Sequence, residues 1–128
     1  MHTRHAAPRL VLCEDDPVLR RWVARLAEKA GVEVVAQVEQ WAHALEQVVE
    51  HEADVVVIDL ATVGRVGVRL VRALRRLAPQ CEVLVISPLH TVGVSVLEAG
   101  ASVVTGPTDL RPFAVAFARL VEQTQPVA

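Results

Sequence analysis

Lysine is almost missing from this 128-residue chain: of 13 basic residues 12 are arginine, and the one lysine is Lys29. Aromatic residues are also scarce, at 3% with no tyrosine, which removes the usual means of stacking nucleobases. No apolar run approaches the roughly 20 residues that a membrane-spanning helix needs. Met1–Ala7 is polar, with two histidines and no apolar stretch behind a basic start, so no secretory signal is legible. The two cysteines, Cys13 and Cys81, form no CxxC and read as buried reduced thiols of a cytoplasmic protein. His2, His5, His43, His51 and His90 have no zinc-ligand spacing. A formal net charge of −2 gives no general pull toward nucleic acid or an anionic membrane.

Apolar residues, by contrast, make up 52% of the chain, a globular composition of one-domain length. Short β-branched runs recur five times, at 9–14, 32–38, 55–59, 82–87 and 102–105. Helical patterns lie between them. The first starts at Pro17, ends at Gly31 and shows Val18, Trp22 and Leu26 as its core stripe. The second runs from about Trp41 to His51 with Ala44, Leu45, Val48 and Val49 inside, and the third, over 67–78, shows Val68, Val71 and Leu74. The fourth, over 90–99, is weakly patterned, because its alternating valines would suit a strand as well. The fifth follows an Asp109 N-cap, with Leu110, Phe113, Phe117 and Leu120 at helical spacing. The order predicts an α/β domain, a (βα)5 doubly wound five-stranded parallel sheet. Its limits read as 9–122, between a flexible N-terminus (1–8) and a fraying tail (123–128).

In such a sheet, sites form outside the carboxyl ends of the strands. The first strand runs into Glu14, Asp15 and Asp16, and the third ends at Asp59. If these strands are neighbours, three carboxylates converge and call for a cation, for which Mg²⁺ has the right oxygen preference. The plainer alternative is that Glu14 and Asp15 cap the first helix. No Gly-rich phosphate loop follows the first strand, which argues against a flavodoxin-like nucleotide binder.

The stretches "LVLCEDDPVLR", "VVVIDLATVGRVG", "VLVIS" and "LEAGAS", with Pro107 after the fifth strand, carry a resemblance. The chain resembles the response-regulator receiver domains of two-component phosphorelay signalling, the CheY-like fold, over about residues 9–122, and Asp15 and Asp59 stand 44 residues apart as in that family. The resemblance implies that Glu14, Asp15, Asp59 and the Ala61 carbonyl bind Mg²⁺, and that Asp59 accepts a phosphoryl group from a histidine kinase. It also implies that Ser87 and the residue after it contact the phosphoryl oxygens, that a lysine precedes Pro107, and that the bond before Pro107 is cis.

Two of these positions depart from the pattern. The lysine position is Gly106, and the residue after Ser87 is Pro88, which has no N–H to donate. Arg111 is the cation nearest in sequence. A hydrogen bond to a charged group is worth about 1.5–3 kcal/mol, and loss of one preorganised donor costs on the order of 10²–10³ in rate.

The sequence therefore reads as a degenerate receiver, a cytoplasmic signalling module and not an enzyme. It would act by protein–protein contact, with weak Mg²⁺ binding and weak or absent phosphorylation of Asp59. One alternative is a working Mg²⁺-dependent phospho-acceptor with an arginine standing in for the lysine. Another is a haloacid-dehalogenase-like phosphatase, which Leu60 and Ala61 after Asp59 argue against, because that chemistry uses Asp-x-Asp. The partners expected are a histidine kinase or another signalling protein, and a second copy through the fourth helix, fifth strand and fifth helix; no membrane and no nucleic acid are expected. On the fourth helix Leu89, Val92, Val96 and Ala99 share a core face, leaving Val94 and Leu97 outward as an interface with Gly93 beside them. Arg65, Arg69, Arg72 and Arg76 form a basic stripe that reads as a solvated outer face before it reads as a site for an acidic partner. Trp41 either covers the acidic pocket or packs.

Overall fold

Each apolar run forms a strand: β1 Arg9–Cys13, β2 Glu33–Val38, β3 Val55–Asp59, β4 Glu82–Ile86 and β5 Val103–Thr105. The computed structural model describes residues 5–88 and 90–124. The strands pair in parallel in the order β2-β1-β3-β4-β5. All five residues of β3 are buried, and four of five in β1 and β4, as continuous Val/Ile/Leu runs require when helices cover both faces. Side chains alternate between two cores. Val11, Cys13, Val56 and Ile58 face one, and Leu10, Leu12, Val55 and Val57 face the other.

Five helices close these cores: α1 Pro17–Ala30, α2 Trp41–Glu50, α3 Gly67–Leu77, α4 His90–Ala99 and α5 Arg111–Thr124. Ala44 and Val48 of α2, Leu70, Val71 and Leu74 of α3, and Val96 of α4 fill the first core; Val23 and Ala27 of α1 and Phe113, Phe117 and Leu120 of α5 fill the second. The rings of Phe113 and Phe117 sit 6.4 Å apart at 55°, a tilted pair worth about 0.5–1.5 kcal/mol beyond its burial. Between β3 and α3 the chain adds a one-turn helix, Leu60–Val63, and a 3₁₀ segment, Gly64–Val66, that the periodicity did not anticipate.

Several sequence expectations need correction. The α1 stripe is only partly right: Leu26 packs against the second core, but Val18 and Trp22 are 60% and 54% exposed, and the buried residues of the helix are Val23 and Ala27. One position along a helix is about 100° of rotation, so Trp22 turns toward α5, where it lines a hollow with Leu26, Leu110 and Ala114. Val49 of α2 is likewise exposed. Neither Glu14 nor Asp15 caps α1. Asp16 does, accepting the N–H groups of Val18 at 2.8 Å and Leu19 at 3.3 Å, an arrangement worth about 1 kcal/mol. Gly31 ends α1 as expected, at φ 100°.

Residues before Arg9 also make contacts with the body of the domain. Pro8 is buried, its carbonyl accepts the Glu33 N–H at 2.8 Å, and the His5 ring lies 3.4 Å from Asp54. At the other end α5 runs to Thr124. No cis peptide bond occurs among the described residues, so Gly106–Pro107 is trans. No described helix is long and apolar enough to cross a membrane.

Candidate functional site at the carboxyl edge of the sheet

β1 and β3 are neighbours, with Cys13 opposite Ile58. Glu14, one residue past β1, and Asp59, the last residue of β3, therefore meet at the carboxyl edge. Glu14 is fully buried and Asp59 is 4% exposed, whereas Asp15 lies at the surface. The Glu14 N–H donates to the Val38 carbonyl at 3.0 Å. Its side-chain Oε2 accepts the Asp16 N–H at 3.2 Å and lies 3.0 Å from the Thr62 hydroxyl. That hydroxyl is also 2.8 Å from Asp15 Oδ1 and accepts the Asp15 N–H at 3.2 Å. Asp59 Oδ1 accepts the Ala61 N–H at 2.9 Å and so caps the short helix that follows.

This is an electrostatically crowded corner. Burial, and then the Asp59 carboxylate beside it, push the Glu14 carboxyl up to about 8, against the opposing pull of the Asp16 N–H and the Thr62 hydroxyl. Burial and a neighbouring carboxylate both disfavour the ionised form of Glu14.

The carboxylate oxygens are donors that fit Mg²⁺, with Glu14 Oε1 buried and without a hydrogen-bond partner. The arrangement is not a closed cage. Among the described residues no three His, Cys, Asp or Glu side chains are grouped to share one ion, and the Thr62 hydroxyl lies between the carboxylates of Glu14 and Asp15.

At the same edge, Ser87 follows β4, is buried, and donates its N–H to the Thr105 carbonyl at 2.8 Å. Pro88 is exposed. A Cβ at Gly106 would meet nothing within 4 Å, so packing does not forbid a side chain there. Arg111 is occupied elsewhere. Its Nε and one terminal nitrogen each lie 2.8 Å from Asp109 oxygens, with the guanidinium 89% exposed. This pairing holds the Asp109 carboxyl down at about 2. Asp109 also accepts the Arg111 N–H at 3.1 Å, but it stands one residue before the N-cap position, which is Leu110 because α5 begins at Arg111.

Two residues at the site escaped the sequence reading. Thr62 was missed because its partners are 47 and 48 positions away. Arg65 was read only as part of a stripe, yet it lines a hollow with Ala61, Ser87 and Pro88. Of the other stripe members Arg69, Arg72 and Arg76 are exposed, while neighbouring Arg75 bonds the Cys81 carbonyl at 2.9 Å. Trp41 is 44% exposed at the start of α2.

On α4, Val96 is buried, Val92 and Ala99 are half-buried, and Val94 and Leu97 are 42% and 48% exposed, in the expected order; Leu89 lies outside the described residues. Val94 and Leu97 line one cleft with Ser87, Pro88 and Gly106. Gly93 does not share their outward face. It is buried, and a Cβ there would come within 3.1 Å of Val104. Both cysteines are buried, and burial pushes each thiol up to about 12.

Comparison with known proteins gives the same architecture. The chain is 26% identical over 97 residues to the chemotaxis protein CheY of Bacillus subtilis (strain 168), covering 74% of this chain and 81% of that one. It is 35% identical over 121 residues to protein-glutamate methylesterase/protein-glutamine glutaminase 5 of Myxococcus xanthus (strain DK1622). That match covers 91% of this chain but only 34% of the relative's length. Among solved structures, the signal receiver domain of NarL from Mycobacterium tuberculosis superposes with a TM-score of 0.75 at 24% identity, over 91% of this chain and 94% of that one. The response regulator domain of Thermotoga maritima CheB gives 0.72 at 20%, over 95% and 98%. The response regulator receiver domain pattern matches residues 10–105, and the chain belongs to that family.

Proposed function

We propose that this receiver domain signals by protein–protein contact, with weak or no phosphorylation of Asp59. The observation that carries the reading is the bare phosphoryl side of the pocket: Gly106 supplies no cation, Pro88 supplies no N–H, and Arg111 is engaged by Asp109. A phosphoryl group on Asp59 would add charge beside Glu14 with little to neutralise it. Mg²⁺ would be held by Glu14, Asp15, Asp59 and the Ala61 carbonyl, and only weakly. When bound it would neutralise charge at this corner. The chain's own contribution is to hold Asp59 rigidly at the end of a fully buried strand.

The partners are a histidine kinase or another signalling protein of the cytoplasm. The contact surface includes Val94 and Leu97, exposed apolar neighbours on α4 that suit a second copy or a partner protein. The test is incubation with acetyl phosphate and Mg²⁺, followed by intact mass. Little or no adduct is expected. Stoichiometric, long-lived adduct on Asp59 would favour the second reading, a working phospho-acceptor, for which the unpartnered Glu14 Oε1 and the buried Asp59 and Ser87 are the supporting features.

A further inference from the structure

We propose that the Thr62 hydroxyl is a built-in competitor for the divalent ion, satisfying the acidic corner when no ion is bound; this rests on reading Glu14, Asp15 and Asp59 as the ion's ligands. Thr62 stands on the short helix after β3, and Asp15 in the loop after β1. One hydroxyl reaches Asp15 twice, accepting its N–H at 3.2 Å and lying 2.8 Å from its Oδ1. The same oxygen is 3.0 Å from Glu14 Oε2.

A hydroxyl has one proton, so it donates to one carboxylate at a time. The shorter contact is to Asp15, and Glu14 Oε2 retains the Asp16 N–H. Thr62 thus fixes both the backbone and the carboxylate of Asp15. A cation that takes Asp15 Oδ1 or Glu14 Oε2 competes with this hydroxyl for the same oxygens. Glu14 Oε1, buried and unpartnered, is the oxygen that Thr62 leaves over. A hydroxyl that was itself an ion ligand would have the opposite effect: its removal would weaken binding. The sign of the change therefore decides between the two roles.

The experiment titrates MgCl₂, and separately MnCl₂, into the full chain and into Thr62→Val, Thr62→Ala and Thr62→Ser. Amide shifts at Asp15 and Asp59 report Mg²⁺ binding, and paramagnetic broadening of the same signals reports Mn²⁺. Well-dispersed spectra establish that each variant is folded. The Val and Ala variants should bind about 3- to 10-fold tighter, the affinity equivalent of one hydrogen bond. The Ser variant should match the parent. Melting in EDTA should fall for Val and Ala and not for Ser. Equal or weaker binding by Val and Ala, with the parent still binding, would overturn the competitor and leave the ligand assignment standing. Absence of binding in all four proteins would remove the ligand assignment and the competitor together.

Discussion

The two halves of the pocket are built differently. The acidic half is part of the fold: Glu14 is fully buried with its backbone bonded to Val38, Asp59 caps the next helix, and Thr62 ties the turn after β3 to the loop after β1. The half facing it is sparse. Ser87 is buried, but Pro88 has no N–H to donate, and a Cβ at Gly106 would meet nothing within 4 Å. The acidic residues have structural duties of their own. Gly106, where we propose that a phosphoryl group would be read, would place a Cβ with nothing within 4 Å, so a side chain can be absent there at no cost to the core. An intact acidic corner is accordingly poor evidence that the switch works.

The largest effect should come from restoring the sparse half. Gly106→Lys with Pro88→Ala returns a cation and an N–H, and should raise the rate of Asp59 modification by on the order of 10²–10³, the loss associated with one preorganised donor. Intact-mass time courses with acetyl phosphate measure it. An inert double variant would break the comparison by placing the defect in the acidic half.

The next effect concerns the cleft beside that half. Val94→Glu combined with Leu97→Lys should turn a self-associated species into a monomer, or abolish a partner complex, as read by light scattering and a binding assay with the isolated partner. A parent that is already monomeric and loses no partner on substitution would show these residues to be ordinary surface.

A smaller effect tests the acidic half through pH. Glu14 has its carboxyl raised from 4.5 to about 8 by burial and by Asp59. A raised native value means that the folded state holds the proton more tightly. The stability this gives is complete below about pH 4.5 and is lost as pH rises through about 8. Urea midpoints of the parent should therefore fall more between pH 5 and pH 8.5 than those of Glu14→Gln. Parallel slopes would show that Glu14 is not proton-loaded.

The smallest change expected is none at all. Asp109→Asn releases Arg111 from its pairing, and adduct formation at Asp59 should stay at the parent's level. A gain would identify Arg111 as the stand-in cation.

What the sequence made legible follows from locality. The strands were readable because β1, β3 and β4 are buried on both faces, and a continuous apolar run has few other uses. α5 was readable because its large residues are the ones that pack. The face of α1 was partly misread because small Val23 and Ala27 are its buried residues while Val18 and Trp22 are exposed; size misled where packing volume decided. The acids and the two departures at Pro88 and Gly106 were visible as residues at strand ends. The Thr62 clasp and the Asp109–Arg111 pair were not, because one depends on two loops meeting across the sheet and the other on rotamers at a helix start.

The two buried cysteines have a consequence for chemical control. A thiol held at about 12 and shielded from solvent offers almost no thiolate to an alkylating reagent. Both native thiols are therefore silent, and a cysteine placed at Gly106, where the surroundings are open, would be the one addressable nucleophile of its kind. Alkylation of Gly106→Cys with 2-bromoethylamine yields a side chain that is a lysine in all but one thioether link. An amine could thus be installed in the cleft beside Ser87 in a purified, folded sample at a chosen moment, before any phosphodonor is added.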